Sequence, residues 1–280
     1  MKKILLKLGI LLFVCPAFNS YAQLTPQPSS AQTLIQDFGL SKITLTYSRP
    51  NIKGRKIFGN MEPYGVVWRT GANSATIIKF TDAVKINGHD VPAGEYSLFS
   101  IPGKREWVVI LNKTAKQWGA YNYRQADDYL RFTVKTEKLK KLTETMTLAF
   151  ENVTPEACDL HMMWEHSGFT CHLTIDDDAK IMAGIDSAMN TARKPYYEAI
   201  IYYWNHDKDM GKALVWANEL DKATNFPPYV SKLWHARVLL KKGDKAAAIK
   251  MAQDGVDIAK KEKSDEYVRL NSQVIAEAGK

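Results

Sequence analysis

"KITLTYS", residues 42 to 48, sets Ile43, Leu45 and Tyr47 against Thr44, Thr46 and Ser48. Side chains alternate across a strand, so a period of two in β-branched and aromatic residues marks a half-buried strand. The same texture continues outward through "ATIIKF" (75–80), "AVKI" (83–86), "EYSLFSI" (95–101), "EWVVILN" (106–112), "LRFTV" (130–134) and "TMTLAF" (145–150). "CDLHMMW" (158–164) and "FTCHLTI" (169–175) complete nine short strands. Asn87-Gly88, Pro92-Ala93-Gly94 and Pro102-Gly103 supply turn chemistry between them, and Asn-Gly is the pair a type I′ hairpin demands. Many short strands with no helical period between them predict an antiparallel β-sandwich or barrel over residues 39–178.

The last two strands predict a hairpin closed by Glu165–Gly168. In that register Trp164 faces Phe169, Cys171 faces Met162, and His161 lies opposite His172. Cys158 and Cys171 then stand about 13 Å apart along the strand, too far for a disulfide. Both share the core face with Leu160, Met162, Trp164, Phe169, Leu173 and Ile175, as buried, inert thiols. The other face carries Asp159, His161 and His172. Two imidazoles across a strand pair could hold zinc or copper with Asp159 or His166, although the spacing matches no established ligand motif. The alternative is a solvated polar face, and no metal or other cofactor is expected.

At "IDDDAKIMAGIDSAMN" (175–190) the period changes to helical, with aspartates suited to a helix start. "DMGKALVWANELDKA" (209–223) and "DKAAAIKMAQDGVDIA" (244–259) superpose at an offset of 35, matching Asp209 with Asp244, Ala213 with Ala248 and Ala217 with Ala252. Residues 179–280 are therefore expected to form six helices in three hairpins.

At the other end, Lys2 and Lys3, the apolar run Ile4–Val14 and Ser20-Tyr21-Ala22 read as a secretory signal over residues 1–22, cleaved after Ala22. Residues 23–38, opening on "QLTPQPSSAQ", read as a flexible leader. The expected location is the periplasm or the outside of the cell, with no transmembrane anchor left after cleavage. Removing the three lysines of the signal lowers the formal charge from +8 to +5. That mild excess contains no block of like charge, which argues against nucleic acid as a partner.

The chemistry concentrates in "RPNIKGRKIFGNMEPYGVVWRTGANSAT" (49–76), which gathers Arg49, Arg55 and Arg69 among four glycines. Guanidinium forks pair with carboxylate or phosphate, and glycine lets backbone N–H groups approach an anion. Trp68 and Tyr64 add flat apolar surface, and Asn73 can donate and accept. The segment reads either as a long connection tied down by its own arginines on loop carbonyls and Glu62, or as a cradle for an anion. "QWGAYNYR" (117–124) offers Trp118, Tyr121 and Tyr123, where sugar rings could stack or which could plug the end of the sandwich. No Ser/His/Asp arrangement, phosphate loop or H-E-x-x-H motif is present.

Taken in order, "YSRP", "KGRKIFG", "PYGVVWRTGANSAT", "PAGEYSLFSIPG", "WVVILNK" and "QWGAYNY" resemble the family known as domain of unknown function 2911, from Gly39 to Phe150. The resemblance implies a secreted or periplasmic β-rich domain and no particular activity. Its motif residues fall on Tyr47, Arg49, Arg55, Trp68, Arg69, Gly71, Asn73 and Thr76. The helical tail is similar to the tetratricopeptide-like extensions of some members.

Three functions follow as expectations. The first is a non-catalytic binding module for a small anionic ligand, an acidic sugar or a peptide carboxylate, held by Tyr47, Arg49, Arg55, Trp68, Arg69 and Asn73. The second is an adaptor docking a protein partner through its helices. The third is a hydrolase or isomerase using Glu62, Glu95 or a metal on His161 and His172.

Overall fold

The computed structural model describes residues 25–280; the signal and its cleavage point lie outside the described residues. The chain divides between Asp176 and Asp177 into two compact units.

The first unit is two antiparallel sheets. Strands β1 (Ser30–Phe38), β2 (Ser41–Arg49), β3 (Thr76–Phe80), β4 (Val84–Ile86), β5 (His89–Val91), β6 (Gly94–Ile101), β7 (Glu106–Asn112), β8 (Asp128–Lys135), β9 (Glu137–Glu151) and β10 (Ala157–Thr174) follow in chain order. One sheet runs β1-β2-β3-β6-β7-β8 and the other β5-β4-β10-β9. Ile43, Leu45 and Tyr47 point inward as their alternation requires, against Leu160, Met162 and Trp164 of the facing sheet in one continuous core. Asn87 and Gly88, at φ +48° and +83°, close the β4–β5 hairpin with both centres positive, as type I′ demands.

Residues 30–38 are strand rather than flexible leader. β1 pairs along its whole length with β2, Ser30 opposite Arg49 through Phe38 opposite Ser41. Gly39 at φ +58° turns the chain between them. The strand lies at a sheet edge and alternates only from exposed to half-buried until Phe38, which is why its composition hides it.

β10 departs from the expected register. A straight strand would separate Asp159 from His172 by about 43 Å. Instead His172 Nδ1 lies 2.7 Å from Asp159 Oδ1 and the Ile175 N–H donates to Glu156 O at 2.9 Å. β10 therefore doubles back as a hairpin, its tip at Glu165–His166 with Glu165 at φ +57°. The loop is two residues, not four, and every partner is displaced by two positions. His161 consequently does not face His172; Asp159 does. The core face is unchanged, because a shift of two preserves parity: Cys158, Leu160, Met162, Trp164, Phe169, Cys171, Leu173 and Ile175 are all buried. Both cysteines are free thiols, now on diagonal rather than distant positions, and burial raises Cys158 to about 12.

β9 wraps the hairpin, pairing Thr147–Glu151 with one arm and Glu137–Lys138 with Ser167–Gly168 of the other. At Gly168 a Cβ would sit 2.4 Å from Met162 O, in the backbone of the opposing arm. Gly168→Ala is expected to cost about 1–3 kcal/mol by overpacking, read as a lowered denaturant midpoint with unchanged slope.

The second unit holds six helices, α1 (Asp178–Ala188), α2 (Tyr196–Asn205), α3 (Met210–Leu220), α4 (Pro228–Lys242), α5 (Lys245–Lys261) and α6 (Asp265–Ala278). The repeat is physical. Asp209 Oδ1 accepts from Gly211 N at the start of α3, and Asp244 Oδ1 from Ala247 N at the start of α5. Ala213, Ala217, Ala248 and Ala252 are fully buried, small enough for helices to close on one another. Among the described residues no helix is long and apolar enough to cross a membrane.

Candidate functional site

The arginine-rich segment leaves β2 at Arg49 and crosses to the second sheet. Ile52 N donates to Glu144 O at 2.9 Å and Met146 N to Pro50 O at 2.9 Å, so residues 50–52 run along β9. Arg49 Nε donates to Met146 O at 3.1 Å and Nη2 to Thr147 Oγ1 at 2.9 Å. Tyr47, 2% exposed, spans the same seam. Its hydroxyl donates to Gln32 Oε1 or Leu148 O and accepts from Leu148 N at 3.0 Å. Tyr47 is thus a tie between the sheets, and burial raises its pKa.

Arg49 is only partly used. Its Nη1 has no acceptor among the described residues, and it lines an open hollow of about 360 Å³. The hollow lies between the edge strands β1 and β9, with Leu34, Leu148, Ala149 and Phe150 apolar and Gln32, Gln36 and Thr147 polar. Among the described residues no acidic side chain lines it.

The other sequence candidates lie apart from this hollow. Arg55 folds onto its own turn, Nε to Ile52 O at 2.9 Å and Nη2 to Asn51 O at 2.5 Å. Trp68 is core, 2% exposed, stacked on Trp164 at 5.8 Å with Phe58 edge-on at 5.9 Å. Its indole donates to Gly71 O at 3.1 Å, and Thr76 Oγ1 donates to Thr70 O at 2.6 Å. A Cβ at Gly71 would press Ser48 O and Thr76 Oγ1, each at 3.1 Å. Trp68, Gly71 and Thr76 therefore lock one loop. Asn73, at φ +60°, donates to Ser29 O at 3.2 Å, and its own carbonyl accepts from Gly119 N at 3.0 Å. That bond brings the exposed rings of Trp118 and Tyr121 beside the Asn73 loop, whereas Tyr123 is held by Asp128 at 2.7 Å.

Arg69 differs again. Its Nε is buried with no partner among the described residues. Nearby Glu62 is pushed up to about 7 by burial, with the Arg69 charge working in the other direction. No ion pair joins them within 4.0 Å among the described residues. Glu95 is exposed on β6.

On the outer face of the second sheet, His161 lies between Glu151, 3.1 Å from Nδ1, and Glu137, 3.1 Å from Nε2. His172 bonds Asp159, which accepts from Asn152 Nδ2 at 2.7 Å and is held below the usual carboxylate range first by that bond and then by His172. The two carboxylates on His161 approach opposite ring nitrogens and cannot share one ion with it. Among the described residues no group of three such side chains is placed to hold a metal. Glu137 and Glu151 were missed as partners because only the wrapping of β9 brings its two ends together.

The unit is thus a two-sheet β domain with a guanidinium-lined hollow in the seam between its edge strands. Residues 29–173 match the family model described as "Protein of unknown function (DUF2911)", and the chain belongs to that family. No curated protein matches the chain, nor does any solved structure.

Proposed function

We propose that the protein is exported, with its signal removed after Ala22, and acts as a non-catalytic binding module for a small carboxylate carrying an apolar body. The observation that supports this reading is the Arg49 hollow. A guanidinium whose Nη1 is unspent among the described residues is held rigid by two bonds to β9, opens on a pocket with apolar surface, and meets no acid among the described lining residues. A rigid fork loses little freedom on pairing with a carboxylate. Arg55 and Trp68 serve the scaffold in this reading, and Arg69 is a second cation outside the hollow.

Titration of the full chain with C4–C8 monocarboxylates by calorimetry tests it. At least one is expected to bind saturably, with affinity falling as salt rises. Arg49→Gln is expected to weaken binding by about tenfold or more, while Arg55→Gln leaves it unchanged. Equal loss in both variants, or binding indifferent to Arg49, would overturn the reading.

The adaptor reading draws on the helical unit, whose 35-residue repeat of capped, alanine-packed helices is similar to tetratricopeptide arrays. In it the helices dock a protein partner. A fragment lacking residues 25–176 that keeps such a partner would favour it over the small-ligand module.

A further inference from the structure

The helical unit contains a pair of opposite charges that make no hydrogen bond or ion pair among the described residues. Arg237 on α4 lies over two indoles set edge to face, its guanidinium carbon 4.6 Å from the Trp234 ring and 5.6 Å from the Trp204 ring. Cation–π contact of this kind holds the guanidinium in place and leaves its N–H groups for hydrogen bonding. Yet the guanidinium makes no hydrogen bond or ion pair to the described residues. Glu277 on α6 is equally unpaired, although its charge is felt at Arg237, where it opposes the lowering caused by burial. Both side chains line one hollow of about 360 Å³, floored by Leu270 and Val274. Trp204 lines it too, and its indole N–H is buried without an acceptor. The neighbouring Lys241 is already spent, on the Trp204 carbonyl and on Asp207 at 2.6 Å.

One unspent cation and one unspent anion remain on a partly apolar hollow at the small end of the range for ligand sites. We propose that this hollow is a binding site for a small zwitterion, a free amino acid with an apolar side chain. Its carboxylate pairs with Arg237, its ammonium pairs with Glu277, and its side chain packs on Leu270 and Val274. A simple anion would meet Glu277 unpaired, and a simple amine would meet Arg237. Neither matches both charges, because each would sit against one group of its own sign.

The experiment is calorimetric titration of the full chain with L-leucine, L-isoleucine, L-valine, L-methionine and L-phenylalanine. Each is compared with the same molecule lacking its ammonium group and the same molecule lacking its carboxylate. At least one amino acid is expected to bind saturably, with both truncated analogues at least tenfold weaker. Arg237→Gln and Glu277→Gln are each expected to reduce that binding about tenfold. Glu277 is exposed, so its variant carries the test if Arg237→Gln fails to fold. Arg49→Gln leaves this binding intact, which separates the site from the seam of the β unit. No saturable binding by any of the five amino acids, truncated analogues binding as well as the parent, or a folded Glu277→Gln with undiminished affinity would each overturn the proposal.

Discussion

Trp68→Ala is expected to lose about 3–5 kcal/mol of stability. The side chain is 2% exposed and sits in a box of rings, parallel to Trp164 at 5.8 Å, tilted to Trp107 at 6.2 Å and edge-on to Phe58 at 5.9 Å. Truncation removes the transfer free energy of an indole and leaves a cavity that three other large, locked rings cannot collapse into. It also strands the Gly71 carbonyl, which accepts the indole N–H at 3.1 Å. Chemical denaturation followed by near-ultraviolet circular dichroism reads the loss. Trp68→Phe, which keeps a ring and gives up the bond, is expected to lose less than half as much. A loss below about 1 kcal/mol in the alanine variant would mean that Trp68 is a surface platform after all, as its place among the arginines first implied.

That contrast marks how far the sequence could be read. Alternation at Ile43, Leu45 and Tyr47 gave the correct inward face, and Asn87-Gly88 the correct turn, because each reports a local property of the backbone. The core face of β10 was legible for the same reason. Its register was not: pairing His161 with His172 and pairing Asp159 with His172 bury identical residues, and only the contacts of the Glu165–His166 tip decide between them. The strand β1 escaped notice since an edge strand needs no strong apolar alternation. Within the candidate site, the presence of arginines was plain and their employment was not. Arg49, Arg55 and Arg69 look alike in sequence. One braces the seam and opens on a hollow, one binds its own turn, and one is half-buried near a carboxyl group with its Nε shielded. Arg49 takes its partners from Met146 and Thr147 of β9, far along the chain, and no local pattern carries that pairing, whereas Arg55 bonds within its own turn.

Glu62→Gln is expected to remove a pH dependence of up to about 3 kcal/mol. The Glu62 carboxyl is raised from 4.5 to about 7, burial being the larger cause and the Arg69 charge a smaller opposing one. Because the folded state holds this proton more tightly than the unfolded chain, the stability contributed by this one group is greatest below pH 4.5. It falls as pH rises toward 7 and levels off above. A shift of that size corresponds to about 3 kcal/mol, less where water reaches the carboxylate. Glutamine cannot ionise, so its variant should follow the wild type below pH 4.5 and exceed it above pH 7, with the gap opening between. Urea midpoints measured from pH 4 to 8 read this directly. Arg69→Gln supplies the opposing case. Removing the one charge that draws Glu62 downward should carry its titration midpoint, followed by carboxyl carbon resonance, above 7. A Glu62 that titrates near 4.5 in the folded protein, or a midpoint indifferent to Arg69, would show that the two groups do not share one sheltered environment.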